Sequence, residues 1–326
     1  MRYFVTGGTG YLGNHVVHQL VDAGHDVVAL VRSESKARWL PSGVEIATGD
    51  ITEKESMREA MTGVDGVFHL AGWYQIGTGN PEIAVQVNVE GTRNVLELMA
   101  ELGVSKGVYT SSVAVFSDTG GTYVDESYRY EGPHLSVYDQ TKWQAHYEVA
   151  MPLIEDGLPL VIVMPGAVYG PPASGEMSDL RTMWQRYLCE ELPFVTREGA
   201  ACWDYVADSA RAHLLAMEHG EPGETYVISG ECRTFVDALS LAEELTGIPA
   251  PRSISPRWFR MLAPIASRIE RFVTLPKPIH PELLYWMAGT TWLADNSKAT
   301  RELGLTHRSL EDGLGEYLEW EQTQLS

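Results

Sequence analysis

Tyr138 and Lys142 are the two residues whose types and spacing most directly indicate chemistry. They stand four positions apart in a segment with a helical pattern, so both side chains project from one helix face. A neighbouring ammonium favours the phenolate and lowers the pKa of a tyrosine from about 10 toward the working pH, as a general acid/base requires. The spacing therefore predicts a proton-transferring pair, although this two-residue pattern alone also arises often by chance.

A hydroxyl group is available at the end of an apolar run that begins at Gly107. Thr110, Ser111 and Ser112 end this predicted strand. Open α/β sheets bind their ligands at the carboxyl ends of the strands. A serine at that edge can orient and polarise a carbonyl oxygen.

The first apolar run passes directly into a glycine-rich turn and then into a helical pattern. The turn reads Thr6-Gly7-Gly8-Thr9-Gly10-Tyr11-Leu12-Gly13. Its glycines allow a tight turn, close approach to a pyrophosphate and close packing of helix on strand, while the helix N-terminus supplies N–H groups. Its place after the first strand of a βαβ unit predicts a dinucleotide site in preference to a purely structural turn.

The end of the second strand distinguishes the two nicotinamide dinucleotides. A carboxylate about 20 residues past the glycines would bond a ribose 2′-hydroxyl, but this chain has Val31 and Arg32 there. Arg32, helped by Ser33 or Lys36, can hold a 2′-phosphate through charge-assisted bonds. We therefore expect NADP (NADPH) as the cofactor, with NAD as the alternative. The structural explanation of Arg32 is a solvated arginine at a strand end with no role in binding.

Asp50 and Ile51 follow the third predicted strand and are candidates to cover the adenine. An ordinary turn followed by a helix cap explains the same residues equally well. We expect a cofactor contact here only because the other motifs point to a dinucleotide.

These residues need a parallel sheet to bring them together, and the order of elements predicts one. Short apolar runs alternate with helical stretches near 11–23, 53–62, 85–102 and 137–156, as in βαβ units. The runs are Tyr3–Thr6, Asp26–Val31, Val44–Ala47, Gly66–Leu70, Gly107–Ser111 and Leu160–Met164. We predict an α/β fold: a doubly wound parallel Rossmann sheet with a smaller, mainly helical C-terminal substrate lobe.

The predicted domains follow from where this rhythm stops. Residues 1–170 form the dinucleotide-binding domain, and 203–230 return to it. Residues 171–202 and 231–326 form the substrate lobe, which is helical and proline-interrupted. Since no low-complexity linker is visible, we expect the two parts to pack directly together.

Composition excludes several classes of function. The 326 residues carry 24 Lys+Arg against 44 Asp+Glu, a net charge of −20, which argues against general nucleic-acid binding. Hydrophobic residues at 44% allow a large core. Basic residues comprise 18 Arg and only 6 Lys, which together with the acidity suggests a salt-adapted source, compositional drift being the alternative. A melting temperature indifferent to KCl up to molar concentration would contradict salt adaptation.

Cysteine usage and the N-terminus bear on the compartment. Cys189, Cys202 and Cys232 lie far apart in sequence, with no metal-ligand spacing and no disulfide framework. Met1 leads straight into the first strand without a targeting pattern, and no apolar run approaches the roughly 20 residues of a membrane span. We expect a reducing, cytoplasmic compartment and no metal site.

Many ordered motifs resemble the extended branch of the short-chain dehydrogenase/reductase superfamily, along nearly the whole chain. They are Thr6–Gly13, Asp50, His69–Gly72, Asn88–Asn94, Ser111–Ser112, Tyr138–Lys142, Pro165–Pro171, Val206–His213 and Asp295–Gly304. The resemblance implies that Tyr138 is the general acid/base, that Lys142 lowers its pKa and binds the nicotinamide ribose, and that Ser112 orients the carbonyl. Ser111 is rejected because the family's serine stands four residues before an aromatic, here Phe116.

The same resemblance, with the motifs above, gives the set of cofactor-binding residues. Leu70–Gly72 and Pro165–Val168 resemble stretches that line the nicotinamide half, and Asn88 resembles an asparagine that braces a helix. The full set is Gly7, Gly10, Tyr11, Leu12, Gly13, Arg32, Lys36, Asp50, Ile51, Leu70, Ala71, Gly72, Tyr138, Lys142, Pro165 and Val168.

Departures from the sugar-modifying members favour a reductase. Val113 stands where sugar dehydratases carry an acid, Met164 replaces an arginine, and no arginine precedes Asp204. We expect an NADP-preferring oxidoreductase that moves a hydride between nicotinamide and a carbonyl or secondary alcohol by a Ser-Tyr-Lys mechanism. The alternatives are a nucleotide-sugar epimerase with bound NAD and a non-catalytic NADP-binding protein.

Aromatic residues suggest a largely apolar substrate. Trp73, Tyr74 and Trp203, with Ser112, are the candidate substrate residues, and Trp73 is the strongest of them. Flat apolar walls suit an aromatic or steroid-like ketone. Trp184, Tyr187 and Tyr205 lie in the same predicted region, and core packing explains each of these aromatics equally well.

Two surfaces suggest partners. Residues 252–280 carry six basic residues against one acidic residue, interleaved with apolar ones. We favour a lid helix that packs its apolar face on the core, with contact to an anionic membrane surface as the alternative. Helices 85–102 and 141–156 resemble those that pair in superfamily dimers, so we expect a homodimer.

Overall fold

The computed structural model describes residues 1–77, 80–173 and 178–325. Strands and helices alternate along most of the chain. The strands are β1 (Arg2–Thr6), β2 (Asp26–Val31), β3 (Glu45–Thr48), β4 (Gly66–His69), β5 (Gly107–Thr110), β6 (Leu160–Met164), β7 (Ala167–Tyr169), β8 (Val195–Thr196), β9 (Ala200–Tyr205), β10 (Thr225–Val227), β11 (Glu231–Thr234), β12 (Ser253–Ile254) and β13 (Thr291–Trp292).

The helices vary from one turn to more than four turns. They are α1 (Tyr11–Asp22), α2 (Arg58–Met61), α3 (Pro81–Ala84), α4 (Thr92–Glu101), α5 (Val137–Gln144), α6 (Met151–Glu155), α7 (Asp179–Leu188), α8 (Val206–His219), α9 (Phe235–Thr246), α10 (Arg257–Glu270), α11 (Pro281–Met287), α12 (Ser297–Leu303) and α13 (Leu310–Leu325). Wider π-type turns, Val85–Gly91 and Ala145–Ala150, join α3 to α4 and α5 to α6. Tight 3₁₀ turns cover Glu34–Trp39, Lys54–Met57, Val113–Phe116 and Lys277–Ile279.

Seven parallel strands form the main sheet in the order β10-β6-β5-β4-β1-β2-β3. The chain begins at β1 in the middle, builds outward to β3, and returns to the other side of β1 with β4. Ligands bind outside the carboxyl ends of the strands at such a reversal. The predicted α/β doubly wound fold is confirmed.

Both faces of the main sheet are covered. Phe4 packs into one core, with residues of α4, while its neighbours Tyr3 and Val5 pack into a second core formed with α1 and α8. Successive side chains of a strand point to opposite faces. A strand covered on both faces is therefore apolar throughout, which explains the continuous apolar runs of the sequence.

A smaller sheet lies in the C-terminal part. Strand β9 pairs with β11 on one side and with β7 and β13 on the other. All six residues of β9 are buried. Helices α7, α9 and α13 cover this region with a third apolar core.

The pairing of β9 with β11 corrects the cysteine prediction. Cys202 and Cys232 face each other in the antiparallel register and form a disulfide, and Cys189 remains a free, exposed thiol. Sequence distance misled the prediction because the register of two strands, not their separation along the chain, sets which side chains meet. The cysteines therefore no longer support the prediction of a reducing compartment.

The prediction that the basic segment packs its apolar face on the core is wrong. Trp258, Leu262, Ile265 and Ile269 of α10 are all exposed. The helix instead buries its small residues Ala263 and Ala266. None of the described helices is long and apolar enough to cross a membrane.

Candidate active site

The glycine-rich turn is shaped as the sequence predicts. Gly7 has a φ of +74°, and a Cβ there would lie 2.5 Å from the backbone nitrogen of Ala71. A Cβ on Gly13 would overlap the carbonyl oxygen of Gly7. Gly10 caps α1, whose first N–H groups have no acceptor within the helix. The turn therefore fits an anionic group held at the helix N-terminus.

Tyr11 and Leu12 contribute backbone rather than side chains to this turn. The Tyr11 hydroxyl donates to the carbonyl oxygen of Gly170 at 2.6 Å, away from the turn, and Leu12 packs on the core beneath. Their N–H groups belong to the first turn of α1. Tyr11 also ties the start of α1 to the segment after β7.

The Leu70–Gly72 stretch lies directly against the turn. The N–H of Leu70 donates to the Thr6 carbonyl at 3.1 Å, and the N–H of Ala71 donates to the Thr6 hydroxyl at 3.3 Å. Thr6 also bonds the buried ring of His69 at 2.7 Å. Burial lowers the pKa of His69 to about 3, so this ring is a neutral structural bridge.

Arg32 and Lys36 lie at the carboxyl end of β2, and both side chains are exposed. Neither has a carboxylate within 4 Å among the residues that the structure describes. Arg38 behaves differently, because its guanidinium stacks over Trp39 at 5.0 Å. Two unpaired cations beside the second strand fit a 2′-phosphate.

Asp50 and Ile51 are partly engaged elsewhere. One carboxylate oxygen of Asp50 accepts from both the N–H and the hydroxyl of Thr52 at 2.9 Å, which is the structural cap that the sequence left open. The Ile51 side chain is buried against Gly91, and its carbonyl accepts from Asn94 at 2.9 Å. Ile51 can therefore offer an adenine only its backbone.

Lys142 is buried beneath the end of β5. Its ammonium donates to the Thr110 carbonyl at 2.7 Å and to the Tyr109 hydroxyl at 3.4 Å. Burial lowers the pKa of Lys142 to about 7. The charge of this side chain therefore changes near neutral pH instead of far above it.

Ser112, which follows β5, lies beside Tyr138 of α5. The Ser112 oxygen accepts from the N–H of Ala114 at 3.1 Å, which leaves the serine proton free to bond the Tyr138 hydroxyl. Ser111 is turned away and bonds His146 at 2.8 Å. Of the two serines, the one expected from the resemblance is thus the one beside the tyrosine.

The electrostatics of Tyr138 differ from the sequence prediction. Burial raises the pKa of Tyr138 to about 12, while the bond from Ser112 lowers it and Asp139 raises it. The expected lowering by Lys142 is absent here because that ammonium bonds Thr110 and Tyr109. Tyr138 is thereby held as a phenol, which is a proton donor.

Asn88 braces the site. Its side chain accepts from the N–H of Trp73 at 2.6 Å, donates to the Trp73 carbonyl at 3.0 Å, and donates to the Thr141 hydroxyl at 2.9 Å. It therefore fixes the segment after β4 against α5. The next residue, Tyr74, places its ring edge-on to Tyr138.

Trp203 is not a substrate residue, contrary to prediction. It is buried in the third core, and its indole nitrogen donates to the Arg233 carbonyl at 3.2 Å. Trp184, Tyr187 and Tyr205 are core residues too. Trp203 and Tyr205 lie on β9, and the sequence does not show that this strand is buried along its whole length.

The Pro165–Val168 stretch borders the Ser112 loop. The Pro165 carbonyl accepts from the N–H of Val113 at 3.0 Å, and Val168 pairs with Asp204 in the smaller sheet. The stretch thus joins the two sheets beside the candidate catalytic residues. A cavity of about 370 Å³ lies elsewhere, lined by Cys232, His307 and their neighbours, and contains none of the predicted catalytic residues.

Glu282 is a residue of this region that the sequence does not predict. This buried carboxylate on α11 accepts from the N–H of Gly77 and from the N–H of Val137, both at 2.8 Å. Val137 begins the helix that carries Tyr138. No local pattern could reveal this contact, since the two residues are 145 positions apart.

Asp139 was also missed, although it adjoins Tyr138. Burial raises the pKa of Asp139 to about 7, its bond to Ser136 lowers it and Glu282 raises it. One of its oxygens has no hydrogen-bond partner among the described residues. The sequence around Asp139 is polar, so it does not indicate that this carboxyl is buried.

Several known proteins are similar to this chain along most of its length. The NAD dependent epimerase/dehydratase family model matches residues 3–229. A dihydroflavonol 4-reductase-like protein of Synechocystis is 32% identical over 335 residues, which cover 98% of this chain and 94% of the relative. The 4-hydroxy-2-methyl-3-oxo-4-farnesyl-3,4-dihydroquinoline-1-oxide ketoreductase of Stigmatella aurantiaca is 30% identical, over 94% of this chain and 92% of the relative. The crystal structure of gox2253 superposes with a TM-score of 0.85 at 28% identity, over 99% and 98% of the two chains.

Proposed function

The chain belongs to the NAD dependent epimerase/dehydratase family of NAD(P)-dependent, extended short-chain dehydrogenase/reductase enzymes, and from this we propose that it reduces the carbonyl group of a largely apolar small molecule with NADPH. The observation that carries the proposal is the Ser112–Tyr138 pair at the end of β5. Tyr138 retains its proton there, because burial raises its pKa to about 12. A resident phenol beside a serine hydroxyl suits protonation of a carbonyl oxygen during reduction.

The dinucleotide supplies the hydride when it is bound. In the proposed reaction the Ser112 hydroxyl donates a hydrogen bond to the substrate oxygen and holds it beside Tyr138. Negative charge develops on that oxygen, and Tyr138 neutralises it by transferring its proton. The transfer is downhill because an alkoxide is a far stronger base than a phenolate.

Lys142 has a positioning and electrostatic part in this proposal. Its bond to the Thr110 carbonyl fixes the ammonium under the end of β5. Lys142 and Tyr138 are four positions apart on α5 and share one face of that helix. We propose that its ammonium holds the nicotinamide ribose when the dinucleotide is bound. Its pKa of about 7 means that the charged form dominates only below neutral pH in the free protein.

The preference for NADPH rests on Arg32 and Lys36. Both cations are exposed at the end of β2 and have no carboxylate partner in the described part of the chain. A planar guanidinium binds phosphate oxygens in a bidentate manner. No carboxylate stands at Val31 or Arg32 to bond a ribose 2′-hydroxyl instead.

An apolar substrate is supported by the surroundings of Tyr138. Tyr74 presents an aromatic wall there, and Trp73 is held beside it by Asn88. One relative is named as a dihydroflavonol 4-reductase and another as a ketoreductase of a farnesylated dihydroquinoline oxide. We keep Trp73, Tyr74 and Ser112 as the substrate residues and no longer include Trp203.

NADPH oxidation against a substrate panel tests the proposal. The panel contains aromatic, terpenoid and steroid ketones, aldehydes and nucleotide sugars, each assayed with NADPH and NADH at low and molar KCl. We expect turnover of an apolar ketone with NADPH preferred. Interconversion of nucleotide sugars without net NADPH consumption would favour an epimerase, and NADPH binding without any turnover would favour a non-catalytic protein.

We also propose a homodimer through the helical segments 85–102 and 141–156. These two segments pack beside each other on one side of the main sheet. Light scattering of the full chain measures the mass directly. A monomeric mass at micromolar concentration would contradict the dimer.

A further inference from the structure

Helix α10 presents an apolar stripe to solvent. The stripe is contiguous because residues three, four and seven positions apart share one helix face. Its most exposed members are Phe272, at 87%, and Trp258, at 67%. The exposed apolar residues are Trp258, Met261, Leu262, Ile265 and Ile269 on the helix, followed by Phe272, Val273 and Ile279 beyond its end at Glu270.

The opposite face of α10 holds the helix on the protein. Ala263 and Ala266 pack with Leu284 of α11 in a small apolar cluster. Phe259 stacks on Phe194 with ring centroids 6.0 Å apart. Since this face already provides the packing, the exposed stripe is not the helix's contact with the core.

Cations border the stripe. Arg257, Arg268 and Arg271 share a neighbouring row of the helix surface and are exposed. Neither they nor Arg252 has a carboxylate within 4 Å among the described residues. The segment 252–280 holds six basic residues and one acidic residue, whereas the remainder of the chain has a net charge of −25.

We propose that α10 and the segment to Ile279 dock on the surface of an anionic lipid bilayer. Apolar side chains enter the boundary between headgroups and acyl chains, and the flanking arginines meet anionic headgroups. The rest of the acidic surface is repelled by the same headgroups. Docking is thus directed to the face that carries these unpaired arginines.

Charge favours a bilayer over a second copy of the chain. A symmetric dimer through α10 would place the same cationic border on both partners, so like charges would meet at the interface. An anionic bilayer offers the complementary charge and an apolar layer at the same place. The observed stripe and its border match both requirements.

The docking face is mechanically connected to the candidate active site. Helix α11 packs on α10, and its residue Glu282 holds Gly77 and the N-terminus of the helix of Tyr138. A membrane-dissolved ketone would enter from this side. That last step rests on the proposed function, whereas docking on the bilayer does not.

Vesicle flotation of the full-length protein tests docking. Vesicles of phosphatidylcholine alone are compared with vesicles containing one quarter phosphatidylglycerol, each at 0.1 M and 1 M KCl. We expect flotation with the anionic vesicles, at least tenfold weaker partitioning to phosphatidylcholine, and weaker partitioning at high salt. No flotation of the unaltered protein at 0.1 M KCl overturns the proposal.

Paired variants separate the apolar and ionic parts. Ile265→Gln with Phe272→Gln removes the centre of the stripe, and we expect at least a tenfold loss of partitioning. The matched control, Leu245→Gln, changes an exposed apolar residue of α9 and leaves partitioning unchanged. Equal flotation of the double variant and the control overturns the proposal.

A charge variant keeps the test valid if the first double variant does not fold. Arg268→Gln with Arg271→Gln alters two exposed side chains, and Arg301→Gln on α12 is its control. We expect only the first to lose anionic selectivity. A dimer in vesicle-free solution that the stripe variant dissociates would assign the face to a second copy and overturn the proposal. Turnover of a water-soluble ketone, measured in parallel, reports the proposed reaction separately.

Discussion

The rings of Tyr74 and Tyr138 meet edge to face, with centroids 4.9 Å apart and planes at 88°. Tyr74 follows Trp73, whose backbone Asn88 holds on both sides. The ring of the candidate proton donor therefore rests on a braced wall. Packing of this type contributes about 0.5–1.5 kcal/mol beyond burial.

Removing the Tyr74 ring should loosen Tyr138. We expect Tyr74→Ala to lower kcat/KM for the ketone by about twofold to tenfold, the range that follows from the ring interaction. Tyr74→Phe keeps the ring and should retain activity. Steady-state NADPH oxidation measures both, with Tyr123→Ala as the exposed-tyrosine control. Equal loss in Tyr74→Phe and Tyr74→Ala would show that the hydroxyl, not the ring, is what matters.

Tyr138 should act as a proton donor over the whole neutral range. Its pKa of about 12 means that reduction does not lose the tyrosine proton between pH 6 and 9, whereas oxidation of the alcohol needs the phenolate and should accelerate as the pH rises. Rates in both directions across pH 6–10 check this. A reductive rate that falls with an apparent pKa far below 12 would contradict this, provided that the same pKa persists in a Lys142→Met variant. Persistence would show that the pKa does not belong to Lys142.

Loss of the Tyr138 hydroxyl should remove proton transfer while leaving cofactor binding. We expect Tyr138→Phe to lower kcat by about 10²- to 10⁴-fold, the usual contribution of general acid catalysis. The affinity for NADPH, measured by fluorescence titration, should change little. Tyr130→Phe, which removes a hydroxyl that donates to the nearby Pro133 carbonyl at 2.9 Å, is the matched control. Full turnover by Tyr138→Phe would remove the mechanism.

The sequence predicts the parts of this site that are local in the chain. The turn at Gly7 follows from its glycines, and Tyr138 and Lys142 share a helix face because of their spacing. The contact of Glu282 with Val137 and the pairing of Cys232 with Cys202 could not be predicted in this way. In each case the two residues come from distant segments that only the tertiary fold brings together. Burial cannot be predicted from the local sequence either, because an aromatic-rich strand that faces a pocket and one that is covered on both sides have the same sequence pattern.

Arg32 should decide the choice of dinucleotide. Hydrogen bonds to charged groups contribute about 1.5–3 kcal/mol, or about 10- to 100-fold in affinity. We expect Arg32→Ala to weaken NADPH binding by that factor and to leave NADH binding unchanged. Titration with both dinucleotides measures the ratio, and Arg301→Ala, an exposed arginine paired with Glu302, is the control. An equal loss for both dinucleotides would contradict recognition of the 2′-phosphate.

Asp204 is a buried carboxyl with an incomplete set of partners. One oxygen accepts from the N–H of Gly166 at 3.3 Å, and the other has no hydrogen-bond partner in the described part of the chain. The ring of His307 lies nearby, with its Nδ1 3.8 Å from the carboxylate, and burial lowers the pKa of that ring. Burial raises the pKa of Asp204 to about 7, so the folded protein holds a proton that the unfolded chain releases near pH 4.

Stability should therefore fall as the pH rises from about 4 to about 7, since the unfolded state binds fewer protons in that interval. Asp204→Asn has no proton to lose, keeps an acceptor for Gly166, and should stabilise the protein at pH 8 more than at pH 4. The upper limit of this gain is about 4 kcal/mol, from about 1.4 kcal/mol for each unit of pKa shift. Denaturant unfolding at both pH values measures it, and Asp156→Asn, an exposed carboxyl, should show no such difference. A variant less stable than the unaltered protein at pH 8 would mean that Asp204 is ionised and paired with a protonated His307.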